Sequence, residues 1–317
     1  MTEPVRILVL GAGVIGSVYA GKLLQAGHDV VMLARGTRLT DLRAHGLVLE
    51  DYVSKQRTEL PVSATDAPDA NERYDLVLVP VRSDQLEQTL PILTNMHDGS
   101  DVLFFGNTAG RSSALTDALG ERVLFGFPAA SGTRDGSVIK YVLIRQQKTM
   151  LGEPDGRKSS RVRELKTVFS RAGLSVRISG DIDGWLLGHA AFIVPIAFAL
   201  YRVDVDAARL GSDRDSLRLM VRANRQAFRA LSVNRKAEIP INLRALYLWM
   251  PEAFPVAYWR KVMAGPRGEL WFGAHSRAAR DEMTSLSNDL LAAVHVTGQP
   301  TPDLDTLLSG GTPAGSP

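Results

Sequence analysis

The chain reads as an α/β unit built on a parallel sheet, followed by an all-α unit. Three observations support this. Short apolar runs alternate with helical patterns through roughly residue 178. The first run leads directly into glycines spaced G-x-G-x-x-G. From residue 181 onward, strand signals stop and long helical patterns take over.

Residues 5–10 are branched and apolar, suited to a strand buried on both faces. Gly11, Gly13 and Gly16 follow, and Val14, Val18, Ala20, Leu23 and Leu24 then recur at helical spacing up to Gly27. Residues 30–33 form the next apolar run. Strand, glycine turn, helix and strand together make the first βαβ unit of a Rossmann-type dinucleotide-binding domain. Gly11 permits the tight turn. Gly13 lets a pyrophosphate approach the backbone, and Gly16 lets the helix pack closely. The helix opens at the turn, so the N–H groups around Val14, Ile15 and Gly16 and the positive end of its dipole are expected to face the phosphates.

The end of the second strand selects the cofactor. An NAD site carries an acid there for the ribose 2′-hydroxyl. Here Ala34, Arg35 and Gly36 stand at that point, with Arg38 close behind and no acid before Asp41. A guanidinium can bond a 2′-phosphate bidentately, so the expected cofactor is NADP(H).

Further elements follow in order. Residues 37–44 read as a short helix ending at Gly46, and 46–50 with 57–62 as a hairpin or pair of short strands. Strands are expected at 74–79, 101–105, 122–125, 137–144, 148–151 and 174–178, with helices near 86–93, 111–119 and 161–172. The later helical patterns cover 181–201, 213–231, 243–250 and 276–294. These give a dinucleotide-binding domain at 1–179, a helical substrate and dimerisation domain at 180–308, and a disordered tail at 309–317. Residues 185–201 are apolar over a membrane-helix length. They read as the central buried helix of the second domain, kinked at Pro195.

Composition excludes several classes. The chain has 317 residues, 45% hydrophobic, with a formal charge of +3 and no cysteine. Disulfides and thiolate metal sites are absent, and the thinly spread positive charge suits an anionic cofactor rather than nucleic acid. The residues supply no metal-ligand pattern, and the start of the chain lacks a signal-peptide layout. The expectation is a cytoplasmic protein with a small-molecule substrate, no nucleic-acid or membrane partner, and a homodimer contact through the helical domain.

The residues resemble the ketopantoate reductase family. The shared features are the GAGVIG turn, Arg35, the region from Gly46, Arg82 with Gln85, the turn from Gly106 to Gly110, Trp185, and Glu269 after a Gly-Pro-Arg-Gly turn. The resemblance implies a Rossmann domain followed by a 6-phosphogluconate dehydrogenase-like helical domain, with NADPH reducing an α-keto acid in a cleft. It implies that Arg35, with Arg82 where the family usually has Lys, holds the 2′-phosphate. Asn107 would lie near nicotinamide and substrate, and Glu269 would organise the substrate end.

The chain then departs from the family. The family's Lys, taken as the proton donor, falls on Leu186 or Leu187. Its Asn positions fall on Ala190 or Ala191 and on Val194 or Pro195. Trp271 and Ala274 stand where Asp and Asn are usual, and Ala257 where Ser is usual. Proton donation is worth about 10²–10⁴-fold in rate, so the loss matters. His189 is the titratable group inside the apolar helix, although it lies about 200–300° round the helix from the lost Lys. His275 and Tyr258 stand near Glu269, and Trp185, Trp271 and Phe272 are candidate pocket walls. Three readings remain open: a reductase for a bulkier, less anionic carbonyl or imine; a genuine 2-dehydropantoate 2-reductase; and a non-catalytic NADP(H)-binding sensor or scaffold.

Overall fold

The computed structural model describes residues 3–68, 72–97, 99–145, 147–233 and 237–310. It divides into two compact units, Met1–Ile182 and Asp183–Pro317.

The first unit begins β1 (Arg6–Leu10), α1 (Val14–Gln25), β2 (Asp29–Leu33) and α2 (Gly36–His45). It continues with β3 (Leu47–Asp51), β4 (Arg57–Leu60), β5 (Ser63–Thr65), β6 (Leu76–Val79), α3 (Leu86–Thr94), β7 (Asp101–Phe105) and α4 (Ser112–Leu119). Then come β8 (Val123–Phe127), β9 (Ala130–Asp135), β10 (Val138–Leu143), β11 (Thr149–Gly152), α5 (Ser160–Arg171) and β12 (Val176–Ile178). The main sheet runs β12-β11-β8-β7-β6-β1-β2-β5 and is parallel except where β11 meets β8. Leu8 lies opposite Val31 on one side and Val77 on the other. All three are buried, as a strand covered on both faces requires.

A smaller sheet, β4-β3-β10-β9, holds the expected antiparallel pairing of β3 with β4. Two strands, β5 of the main sheet and β9 of this one, were not expected from the sequence. β5 is three residues long, too short to show alternation. β9 reads ASGTRD and is mostly exposed; its extended state comes from pairing with β10 across the Gly136-Ser137 turn.

The second unit is helical. It contains α6 (Ile182–Tyr201), α7 (Ala207–Ser212) and α8 (Arg214–Val233). Further helices at Ala253–Met263, Arg280–His295 and Pro302–Ser309 follow. Two π-helical turns, Ala245–Trp249 and Glu269–Gly273, interrupt the regular pattern. A π-turn shifts the helical spacing by a residue, which is why residues 243–250 read as ordinary helix and 266–273 gave no clear signal. Ser309, expected in the tail, closes a helix; residues 311–317 lie outside the described residues.

α6 is long and apolar enough to cross a membrane, yet 78% of its most apolar window is buried inside the protein. It passes through Pro195 as one helix. Proline has no N–H, so the Ala191 carbonyl loses its usual partner. Asn224 of α8, fully buried, replaces it: its Nδ2 donates to the Ala191 carbonyl at 2.9 Å and to that of Phe192 at 3.0 Å.

Candidate active site

In the first unit the carboxyl ends of β1, β6 and β7 carry three adjacent turns. A Cβ on Gly11 would lie 3.3 Å from Val81, and one on Gly106 would lie 3.1 Å from the Val81 carbonyl oxygen. β1 is the strand at which the sheet order reverses, with β2 on one side and β6 on the other. Ligands of open α/β sheets bind outside the strand ends at such a switch point.

The motif glycines differ in kind. Gly11 has φ +131°, a backbone state closed to L side chains. A Cβ on Gly16 would lie 2.0 Å from the Gly11 oxygen, so close packing requires glycine there. Gly13 is exposed, with φ −72° and ψ −170° and nothing within 4 Å of a Cβ. Its N–H finds no acceptor among the described residues, and α1 opens without a side-chain cap or an acid in its first turn. An open cradle with unpaired donors and a positive helix end fits a pyrophosphate.

Arg35 is exposed at the end of β2, caps α2 with extended backbone and makes no ion pair among the described residues. Arg82 lies at the end of β6, paired with Asp84 at 3.3 Å. Asn107 is buried after β7, and its Oδ1 accepts the Ala109 N–H at 3.0 Å, which fixes the amide plane.

In the second unit His189 stacks on Trp185, ring centroids 5.4 Å apart and planes 7° apart. Burial, with a smaller contribution from His275, pushes its imidazole down to about 3. It is therefore neutral at pH 7: it can donate a hydrogen bond but carries no imidazolium proton. Glu269 opens a π-turn and its Oε1 accepts from Arg277 Nη1 at 2.9 Å. Arg277 Nη2 donates to the carbonyl of Val205, whose φ of +60° is rare for a β-branched residue. A Cβ on Gly273 would strike the Glu269 carboxylate at 2.2 Å. Phe272 joins Phe192 and Trp259 in an aromatic cluster. Trp271 and Tyr258 are substantially exposed, and Arg267 lies 5.4 Å over the Trp271 ring. Of the positions onto which the family's Lys and Asn were expected to fall, Leu186, Ala190, Ala191, Val194 and Pro195 are buried and Leu187 is partly buried.

Sequence reasoning named Arg38 only as a neighbour of Arg35 and did not single out Arg277. Arg38 is buried and bonds the glycine turn, while Arg277 holds Glu269. Each resembles a surface arginine in a helical pattern, so no sequence signal marks it.

Fold and turn thus define a Rossmann-type dinucleotide-binding unit followed by a helical unit. The family model for ketopantoate reductase PanE/ApbA matches residues 7–156, so this stretch of the chain is similar to that family. A 2-dehydropantoate 2-reductase of Pyrococcus horikoshii is 29% identical over 186 residues, 57% of this chain and 58% of that protein. The chain therefore matches less than two thirds of that relative's length. The crystal structure of 2-dehydropantoate 2-reductase from Geobacter metallireducens superposes with a TM-score of 0.77 at 19% identity, covering 97% of this chain and 100% of that one. D-mandelate dehydrogenase in its ternary structure with NADH and anilino(oxo)acetate gives 0.75 at 17% identity, covering 96% of each chain. At these identities the structural likeness is one of fold.

Proposed function

We propose that the protein is an NADPH-dependent oxidoreductase acting on a carbonyl or imine bulkier and less anionic than ketopantoate. One observation carries the reading: the open, acid-free glycine cradle at Gly13, with Arg35 where an NAD site would place an acid. The backbone N–H groups from Gly13 to Gly16 would hold the pyrophosphate. Arg35 would hold the 2′-phosphate, with Arg82 assisting from its ion pair with Asp84. NADPH, when bound, supplies a hydride.

Asn107, its amide plane fixed by Ala109, would donate to a carbonyl oxygen or accept from the cofactor carboxamide. Neutral His189 can offer one N–H to a developing oxyanion without delivering a proton as imidazolium. Glu269, steadied by Arg277, would orient the substrate. The resemblance puts the family's Lys on Leu186 or Leu187 and its Asn residues on Ala190 or Ala191 and Val194 or Pro195, and apolar side chains there favour a substrate needing little proton donation, such as a preformed iminium.

The test is NADPH oxidation with uncharged aromatic ketones, cyclic imines and ketopantoate. Turnover of the first two with ketopantoate slower by on the order of 100-fold or more is the expected result. Ketopantoate reduced at ordinary enzyme rates would make the protein a genuine 2-dehydropantoate 2-reductase. Tight NADPH binding without oxidation by any of them would favour the sensor reading, which those same apolar positions also support.

A further inference from the structure

Arg38 lies on α2, close behind Arg35, and is buried. Its guanidinium spans three elements. Nε donates to the Ala12 carbonyl at 3.2 Å, Nη2 to Ser17 Oγ at 3.0 Å and Nη1 to the Ser137 carbonyl, in the β9–β10 turn, at 3.3 Å. Ser17 Oγ, itself fully buried, donates to the same Ala12 carbonyl at 3.3 Å. No carboxylate of the described residues lies within ion-pair distance of Arg38. Burial pushes its guanidinium below the ordinary arginine range, and the nearby charge of Arg134 adds to that.

We propose that Arg38 is the positioning residue of the pyrophosphate turn: by holding the Ala12 carbonyl inward it turns the Gly13 N–H outward toward the bound phosphates. The reason is elementary. The Ala12–Gly13 peptide is trans, so its carbonyl and N–H lie in one plane and point in opposite directions within it. Two donors, Arg38 Nε and Ser17 Oγ, grip the carbonyl from beneath. The N–H on the other side is the exposed one, beside the open space at Gly13. Arg38 is a buried cation with no carboxylate at ion-pair distance; the more distant Asp41 offsets part of its charge, and an anion bound at the turn would offset more. Arg35 and Arg38 thus divide the work, Arg35 reading the 2′-phosphate and Arg38 shaping the turn for any dinucleotide.

This rests on the dinucleotide reading above, and calorimetry with three probes keeps the two apart. Wild-type protein that binds neither NADPH nor NADH would remove that reading. Given wild-type binding, Arg38→Met should weaken NADPH and NADH alike by about 10- to 100-fold, the scale of a lost charge-assisted hydrogen bond. Adenosine 2′-monophosphate, which has no pyrophosphate, should stay within about 2-fold. Arg38→Lys, keeping the charge and one donor, should recover part of the loss. If Arg38→Met fails to fold, Ser17→Ala serves in its place. It should cost both dinucleotides about 2- to 5-fold and spare the monophosphate. Unchanged dinucleotide affinity would overturn the proposal. So would equal loss of all three probes, which would mark Arg38 as merely structural. Loss of NADPH and the monophosphate with NADH spared would make Arg38 a 2′-phosphate ligand and also overturn it.

Discussion

In the first unit the groups that would meet a ligand belong largely to the backbone, whereas in the second they are side chains. The glycine turn offers N–H groups, and those depend on where a Cβ is absent and on which peptide planes are held. The helical unit offers His189, Glu269 and aromatic rings, and those depend on which face of a helix is turned and what packs behind it. Backbone sites tolerate sequence drift everywhere except at a few glycines. Side-chain sites can change chemistry with a single substitution.

Within the turn itself the contrast sharpens between Gly13 and Gly16. A Cβ at Gly13 meets nothing within 4 Å and the φ of −72° is an allowed one, so in Gly13→Val the fold should survive with little change in unfolding temperature. NADPH affinity should fall on the order of 100-fold, roughly 3 kcal/mol, because the side chain fills the space a pyrophosphate needs. Gly16→Val, placing a Cβ 2.0 Å from the Gly11 oxygen, should instead damage the unit itself. Thermal unfolding together with NADPH titration separates the two. A Gly13 variant that still binds NADPH at wild-type strength would show that the turn is not the site.

A smaller effect tests the side-chain half of the contrast. His189 is depressed from 6.5 to about 3, so in that window the unfolded chain binds the proton and the folded one does not. Its contribution to stability is present above about pH 6.5 and is lost as pH falls toward 3, at no more than about 1.4 kcal/mol per pH unit. His28 is depressed in the same sense by burial, with its Nδ1 accepting the Val5 N–H, so part of any acid-side loss will remain in a variant. Chemical denaturation at pH 7 and pH 5 should show His189→Phe losing less stability between the two than wild type. An equal loss would mean that His189 titrates normally and is free to act as an acid.

The parallel sheet could be read in advance because β1, β2, β6 and β7 are buried on both faces and so appear as unbroken apolar runs. β5 and β9 could not, since short or polar strands owe their state to the neighbours they pair with. α6 and α8 were visible from periodicity, but the π-turns at Tyr247 and Glu269 break the period that such reading relies on. The pyrophosphate turn was legible because glycine spacing encodes geometry directly. Arg38 and Arg277 were not, because burial and hydrogen bonding of an arginine leave no mark in one sequence.

The claim on which the rest depends is a phosphate-reading dinucleotide site at the glycine turn and Arg35. Isothermal titration of wild-type protein and the Arg35→Ala variant with NADPH and NADH tests it most directly. Wild type should bind NADPH more tightly than NADH, and Arg35→Ala should weaken NADPH about 10- to 100-fold while leaving NADH within a few-fold. Folded wild-type protein giving no heat with either dinucleotide, or a variant losing both equally, would contradict it.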